Sequence, residues 1–319
     1  MSQVAMLKQA WTVLGVMVCT ASLGCAGPQP RPTDSPEKAA KAAPAQELAG
    51  SSGGKPPVLV ITPGQEPRQL LRYVHRKDEE FLVSVRHEMT MAMDGGPSVT
   101  IPMLYEATQK NLSVDAGGAA RRSGRYAKLE LIPGADPRVA QAMTTALKGF
   151  ERVTFSDRID SQGNVSNVSV DVSAIENERL RTMVAGMQDA ITDCAMPWPL
   201  EPVGIGARWR RTRQVKANGV AMEQTAVMSL VERQGNQVDT TIEISQHADP
   251  QMLALPDGTS AELVSLKGSG KGTWHTVLDP LSFESKSTVI VETTMRQNQT
   301  ESTTTLTMQI ALTMRSTGK

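Results

Sequence analysis

From Pro57 to the end of the chain, apolar and polar residues alternate in long runs. Phe81, Val83, Val85, His87, Met89, Met91 and Met93 fall on one face of an extended segment, with Leu82, Ser84, Arg86, Glu88 and Thr90 on the other. Near the C-terminus Leu306, Met308, Ile310, Leu312 and Met314 alternate with Thr305, Thr307, Gln309, Ala311 and Thr313. A period of two with one apolar face predicts antiparallel strands buried on one side. Further runs lie near 104–114, 125–132, 150–160, 165–173, 207–216, 219–233, 237–247, 261–267, 272–279 and 285–297. Turn signals separate them: Asp94-Gly95-Gly96, Ser161-Gln162-Gly163-Asn164, Asn218-Gly219, Gln234-Gly235-Asn236 and Pro256-Asp257-Gly258.

Two segments carry a helical period instead. Over 137–149, Val139, Met143, Ala146 and Leu147 recur at helical spacing behind Asp136 as N-cap and Pro137 at the first helical position. Over 176–193, Leu180, Met183, Val184, Met187 and Ile191 form one apolar stripe. The expected fold is therefore mainly β (α+β): antiparallel curved sheets or a half-barrel, with two short amphipathic helices. The globular part spans 57–319, and Met196-Pro197-Trp198-Pro199-Leu200 suggests two similar halves, 57–200 and 201–319.

The first 56 residues follow another pattern. Lys8 precedes a short apolar run from Ala10 to Val18, too short to span a bilayer. Ala21-Ser22-Leu23-Gly24-Cys25 resembles the lipobox of bacterial lipoproteins; Gly24 and Cys25 match it, and Leu23 stands one place later than the family's leucine. The resemblance implies that 1–24 is a signal peptide and that Cys25 becomes a lipidated N-terminus anchored in the membrane bilayer. An ordinary secretory signal or a short N-terminal membrane anchor is the alternative. Ala26 is not the Asp that retains such proteins at an inner membrane, so the resemblance implies a lipid-anchored place in the cell envelope, with the outer membrane favoured where a cell has two. Residues 25–56 are rich in Pro, Ala, Gly and Ser without an apolar stripe, the composition of a flexible tether.

Composition narrows the function classes. Thirty-three basic and 33 acidic residues balance, so no nucleic-acid partner is expected. Aromatics are 3% of the chain, few for a carbohydrate platform. Of Cys19, Cys25 and Cys194, only Cys194 would remain as a free thiol in the mature protein, leaving no internal disulfide.

Candidate chemistry is sparse. The four histidines, His75, His87, His247 and His275, show no zinc-ligand spacing and no Cys joins them, so neither a metal nor a cofactor is expected. His247 and Asp249 are close enough in sequence to meet at a solvated loop end. Gly268-Ser269-Gly270-Lys271-Gly272 suggests a phosphate loop, but no helix pattern follows it, and it is predicted to be a glycine-rich hairpin turn. His75-Arg76-Lys77-Asp78-Glu79-Glu80 reads as a solvated hairpin turn, and Arg208, Arg210, Arg211 and Arg213 as a basic strand.

Leu200-Glu201-Pro202-Val203-Gly204-Ile205-Gly206-Ala207-Arg208-Trp209 resembles a step in uncharacterised bacterial lipoproteins of a domain-of-unknown-function type, in which a strand near Leu71-Arg72-Tyr73 also precedes a charged turn. That family supplies no activity. Pro202 and Gly206 would shape the approach to a strand, with Trp209 anchoring it in the core.

Methionine is the suggestive residue, at 17 per chain. Met89, Met91 and Met308 on strands, with Met183 and Met187 on the second helix, are the candidate lining of an apolar ligand site, since methionine adapts to irregular apolar partners. The expected function is a non-catalytic envelope module binding an apolar ligand or an envelope protein. A structural or assembly role with a packed core is the alternative, and a hydrolase assembled from distant residues the least supported.

Overall fold

The computed structural model describes residues 58–94, 96–134, 141, 150–173, 175, 181, 195–217, 220–254, 259–297 and 300–316. The alternating runs form strands β1 (Leu59–Thr62), β2 (Glu80–Met93), β3 (Val99–Val114), β4 (Ala120–Leu131), β5 (Thr154–Ile159) and β6 (Val165–Asp171). After these come β7 (Arg208–Ala217), β8 (Val220–Gln234), β9 (Gln237–Ala248), β10 (Gln251–Ala254), β11 (Ser260–Leu278), β12 (Leu281–Gln297) and β13 (Thr300–Ser316). All belong to one antiparallel sheet in the order β1-β7-β8-β9-β11-β12-β13-β2-β3-β4-β5-β6, with β10 paired to β11. The sheet curves without closing. Segments 137–149 and 176–193, predicted to be helices, lie outside the described residues except for Gln141 and Arg181, both of which are α-helical.

Consecutive strands pair within β2–β6 and within β7–β13, except that β9 pairs with β11 past the short β10. The join is β13 on β2, in a register that sets Met308 opposite Met89 and Ile310 opposite His87. The two ends of the sheet approach each other through irregular chain. The Tyr73 amide donates to the Ser161 carbonyl at the β5–β6 turn (2.7 Å), and the Val74 amide to Leu278 at the end of β11 (3.1 Å). The Trp198 amide donates to Gln162 (2.8 Å), while the Trp209 indole donates to the Pro197 carbonyl (3.0 Å). Tyr73, Trp198 and Trp209 pack in a chain of tilted rings with centroids 5.6 and 5.9 Å apart. In a protein with so few aromatics, these three close one end of the half-barrel, and Trp209 takes the core position foreseen for it.

Inward residues from both runs of strands form a single core. Alternation holds through β2, where Phe81, Met89 and Met91 are buried and Glu80 and Leu82 are exposed. His75 corrects the picture of 75–80 as wholly solvated, because it is buried under the closed end, while the chain turns at Lys77 and Asp78.

Candidate functional site on the concave face

The strand register places the candidate residues in three adjacent rows across the inner face. One row runs Gln224, Gln246, Gly268, Val291, Leu306, Met91. The next runs Ala226, Ile244, Gly270, Val289, Met308, Met89, Ile101. The third runs Met228, Ile242, Gly272, Ser287, Ile310, His87, Met103.

The glycines at 268, 270 and 272 therefore correct one expectation. They form no hairpin turn; they sit in the middle of the 19-residue strand β11, on its inward side. Glycine weakens a strand and marks close approach of something else. A Cβ on Gly270 would meet Val289 Cγ2 at 2.7 Å, and one on Gly272 would meet Ile242 Cγ2 at 3.1 Å. Between Leu266 and Trp274 the inward positions of β11 thus carry no side chains, and atoms of the neighbouring strands occupy the space that side chains there would need.

Met89 and Met91 are buried, at 1% and 5% exposure, as are Met103 on β3 and Met222 and Met228 on β8. Met308 joins them by backbone register alone. Met183 and Met187 lie outside the described residues, as do Cys19, Cys25 and Cys194.

His87 is the residue that sequence reasoning passed over. It has no zinc-ligand spacing to the other histidines, yet both of its ring nitrogens are buried without a hydrogen-bond partner. Burial pushes its pKa down to about 4, so the ring is neutral near pH 7. Its ring lies 6.3 Å from that of Tyr105. The available signal was its place between Val85 and Met89 on the inward side of an alternating run.

Polar groups border the strip at one side. Arg213 Nε and Nη2 donate to Gln224 Oε1 at 3.0 and 2.6 Å, and Gln224 Nε2 is buried without a partner. Gln246, opposite Gln224 in register, is also buried. Arg211 and Arg213 stand on the Trp209 side of β7 and Arg208 and Arg210 on the other, as alternation requires.

A separate polar cluster lies beneath the closed end. Arg122 Nε donates to Asp157 Oδ1 at 2.7 Å, Asn111 Nδ2 donates to the Arg76 carbonyl at 2.9 Å, and the His75 ring contacts the Asp160 carbonyl at 3.2 Å. Burial lowers the His75 pKa. A void of about 20 Å³ beside Tyr73, Gln109 and Arg122 has the size of one water molecule.

On the outer face, β3–β6 form an open groove of about 570 Å³ lined by Thr108, Lys110, Ser123, Arg125, Ser156 and Asp171, among others. Lys110 is already paired with Glu80 at 3.2 Å and Asp78 at 3.7 Å. His247 does meet Asp249, at 3.2 Å, and His275 meets Asp239 at 2.6 Å; both pairs are solvent-exposed. Among the described residues no group of three or more His, Cys, Asp or Glu side chains is placed to hold a metal. No described helix is long and apolar enough to cross a membrane. No protein-family model matches the chain and no curated protein is detectably similar to it, so the functional reading rests on the residues themselves.

Proposed function

We propose that the chain is an envelope lipoprotein, tethered through Cys25, whose half-barrel is a non-catalytic module binding an amphiphile with an acyl-like apolar part. The leader and the Pro/Ala/Gly/Ser segment support the anchor, and Ala26 favours the outer membrane where a cell has two. The observation that carries the binding reading is the inner strip: Met89, Met91 and His87 share their rows with the three inward glycines of β11. Unpaired buried polar atoms cost roughly 1–3 kcal/mol each, a cost that a ligand's polar group at His87 or Gln224 would relieve. Methionine and glycine together give a deformable apolar lining.

The test is displacement of a fluorescent fatty acid from the purified, delipidated protein, with native mass spectrometry for co-purified lipid. Saturable binding is expected. Met91→Trp, which adds bulk in the Gly268 row, should weaken it about tenfold, the equivalent of 1.4 kcal/mol. Absence of saturable binding, or binding indifferent to Met91→Trp, would remove the ligand reading. It would favour the alternative of a structural envelope component, which the near-complete burial of Met89 and Met91 supports.

A further inference from the structure

One edge of the sheet carries more apolar surface than the fold uses. Segments 59–70 and 200–210 run antiparallel as a continuous ribbon. Leu59 faces Arg210 and Thr62 faces Arg208 in the β1–β7 pair. Beyond it, the Gly204 amide donates to Pro63 (2.9 Å), the Gln65 amide to Ile205 (2.9 Å), and Gln69 and Val203 exchange bonds at 3.0 Å. The ribbon's inner side is spent on the core, through Trp209, Val203, Ala207 and the partly buried Val60. Yet Leu59, Ile61, Leu70, Leu200 and Ile205 on the same ribbon, with Val231 beside Ile205 at the end of β8, are 47–68% exposed. These are six of the eleven large apolar side chains that the described residues expose. Elsewhere on the outward side polar residues predominate, as at Glu301, Thr305 and Gln309 of β13, with apolar residues such as Leu82 and Ile290 exposed singly among them. A sheet edge needs one apolar face, and a clustered second one marks a contact surface.

Two observations select the partner. Residues 58–74 and 197–210 hold four arginines against two glutamates and no lysine or aspartate, with Arg208 and Arg210 exposed beside Leu59. That combination suits an anionic bilayer surface, where each basic side chain contributes about 1 kcal/mol. The chain running back to Cys25 also leaves the described structure at this ribbon, since Val58 directly precedes Leu59. We infer that the ribbon is a membrane-docking face, seating the half-barrel on the bilayer that holds its own anchor; the inference rests on Cys25 being that anchor. Arg72 braces the face from behind, donating to the carbonyls of Leu71, Pro199 and Leu200 at 2.6, 2.8 and 2.9 Å.

The lipoprotein reconstituted in phosphatidylethanolamine–phosphatidylglycerol vesicles containing doxyl-labelled lipid provides the test. A thiol-linked fluorophore on Ile205→Cys, in a Cys194→Ser background, should be quenched about threefold more than one on Met252→Cys, an exposed position in β10. Arg208→Glu with Arg210→Glu, or salt at about 0.5 M, should reduce the difference. Equal quenching at the two positions overturns the docking face, and leaves a protein partner to account for the patch. The intact mass of the same samples reports acylation separately. Acylated protein with equal quenching loses the docking face and keeps the anchor; non-acylated protein with selective quenching keeps the face and loses the anchor.

Discussion

Arg122 and Asp157 face each other across the β4–β5 pair, Nε to Oδ1 at 2.7 Å, with side chains only 4% and 0% exposed. Two charges removed from water this completely depend on each other, because loss of either leaves the survivor buried and uncompensated. Asp157→Leu and Arg122→Met are each expected to destabilise the protein by about 3–5 kcal/mol. The double variant should lose less than either single one, since two apolar groups no longer strand a charge. Urea unfolding of the three variants measures this. Additive losses would show that the pair is not coupled.

His87 gives stability a pH dependence of known sign. Its folded pKa lies near 4, below the ordinary 6.5, so between those values the unfolded chain binds a proton that the folded chain does not. Stability is therefore complete above about pH 6.5 and declines as pH falls toward 4, by roughly 3 kcal/mol. His75, also lowered by burial, acts in the same direction. His87→Leu should flatten the decline over this window in thermal melts. A variant that keeps the full slope would place the effect elsewhere.

The closed end depends on the ribbon's close approach at Gly204. A Cβ there would run into the Gln65 carbonyl, and no flexible side chain can yield to make room. Gly204→Ala should cost about 3 kcal/mol or more, by the mechanism of overpacking. Gly206, two residues on, has φ +80° but open space around it. Gly206→Ala should cost only about 1 kcal/mol, the strain of a left-handed backbone. Equal melting temperatures for the two variants would contradict this separation of collision from strain.

Legibility followed distance along the chain. Period-two alternation locates β2 and the middle of β13, because a half-buried strand repeats its apolar side every second residue. The four-residue strands β1 and β10 escaped notice, being too short to show a period. Glycine misled at 268–272: as a local signal it means a turn, and only the neighbouring Val289 and Ile242 reveal it as a space within a strand. Arg122 and Asp157 are 35 residues apart, and Tyr73 donates to a carbonyl 123 residues away. Such partners are chosen by the curvature of the sheet, which no local pattern encodes. The candidate strip divided likewise: alternation places His87 and the methionines on one face, but only the packing around His87 shows that both ring nitrogens lack partners.

The anchor makes the last prediction. Two or more acyl chains hold a protein on a bilayer where one chain does not, so attachment should depend on one sulfur. Cys25→Ser should abolish the acyl mass and release the protein from membranes, while Cys19→Ser, in the segment that the proposed cleavage would remove, should change little. If the ribbon also touches lipid, release of the Cys25→Ser protein should be fuller at about 0.5 M salt, where the arginines of the ribbon are screened. Fractionation with intact-mass measurement separates the outcomes, and a Cys25→Ser protein that stayed acylated and membrane-bound would end the lipoprotein reading.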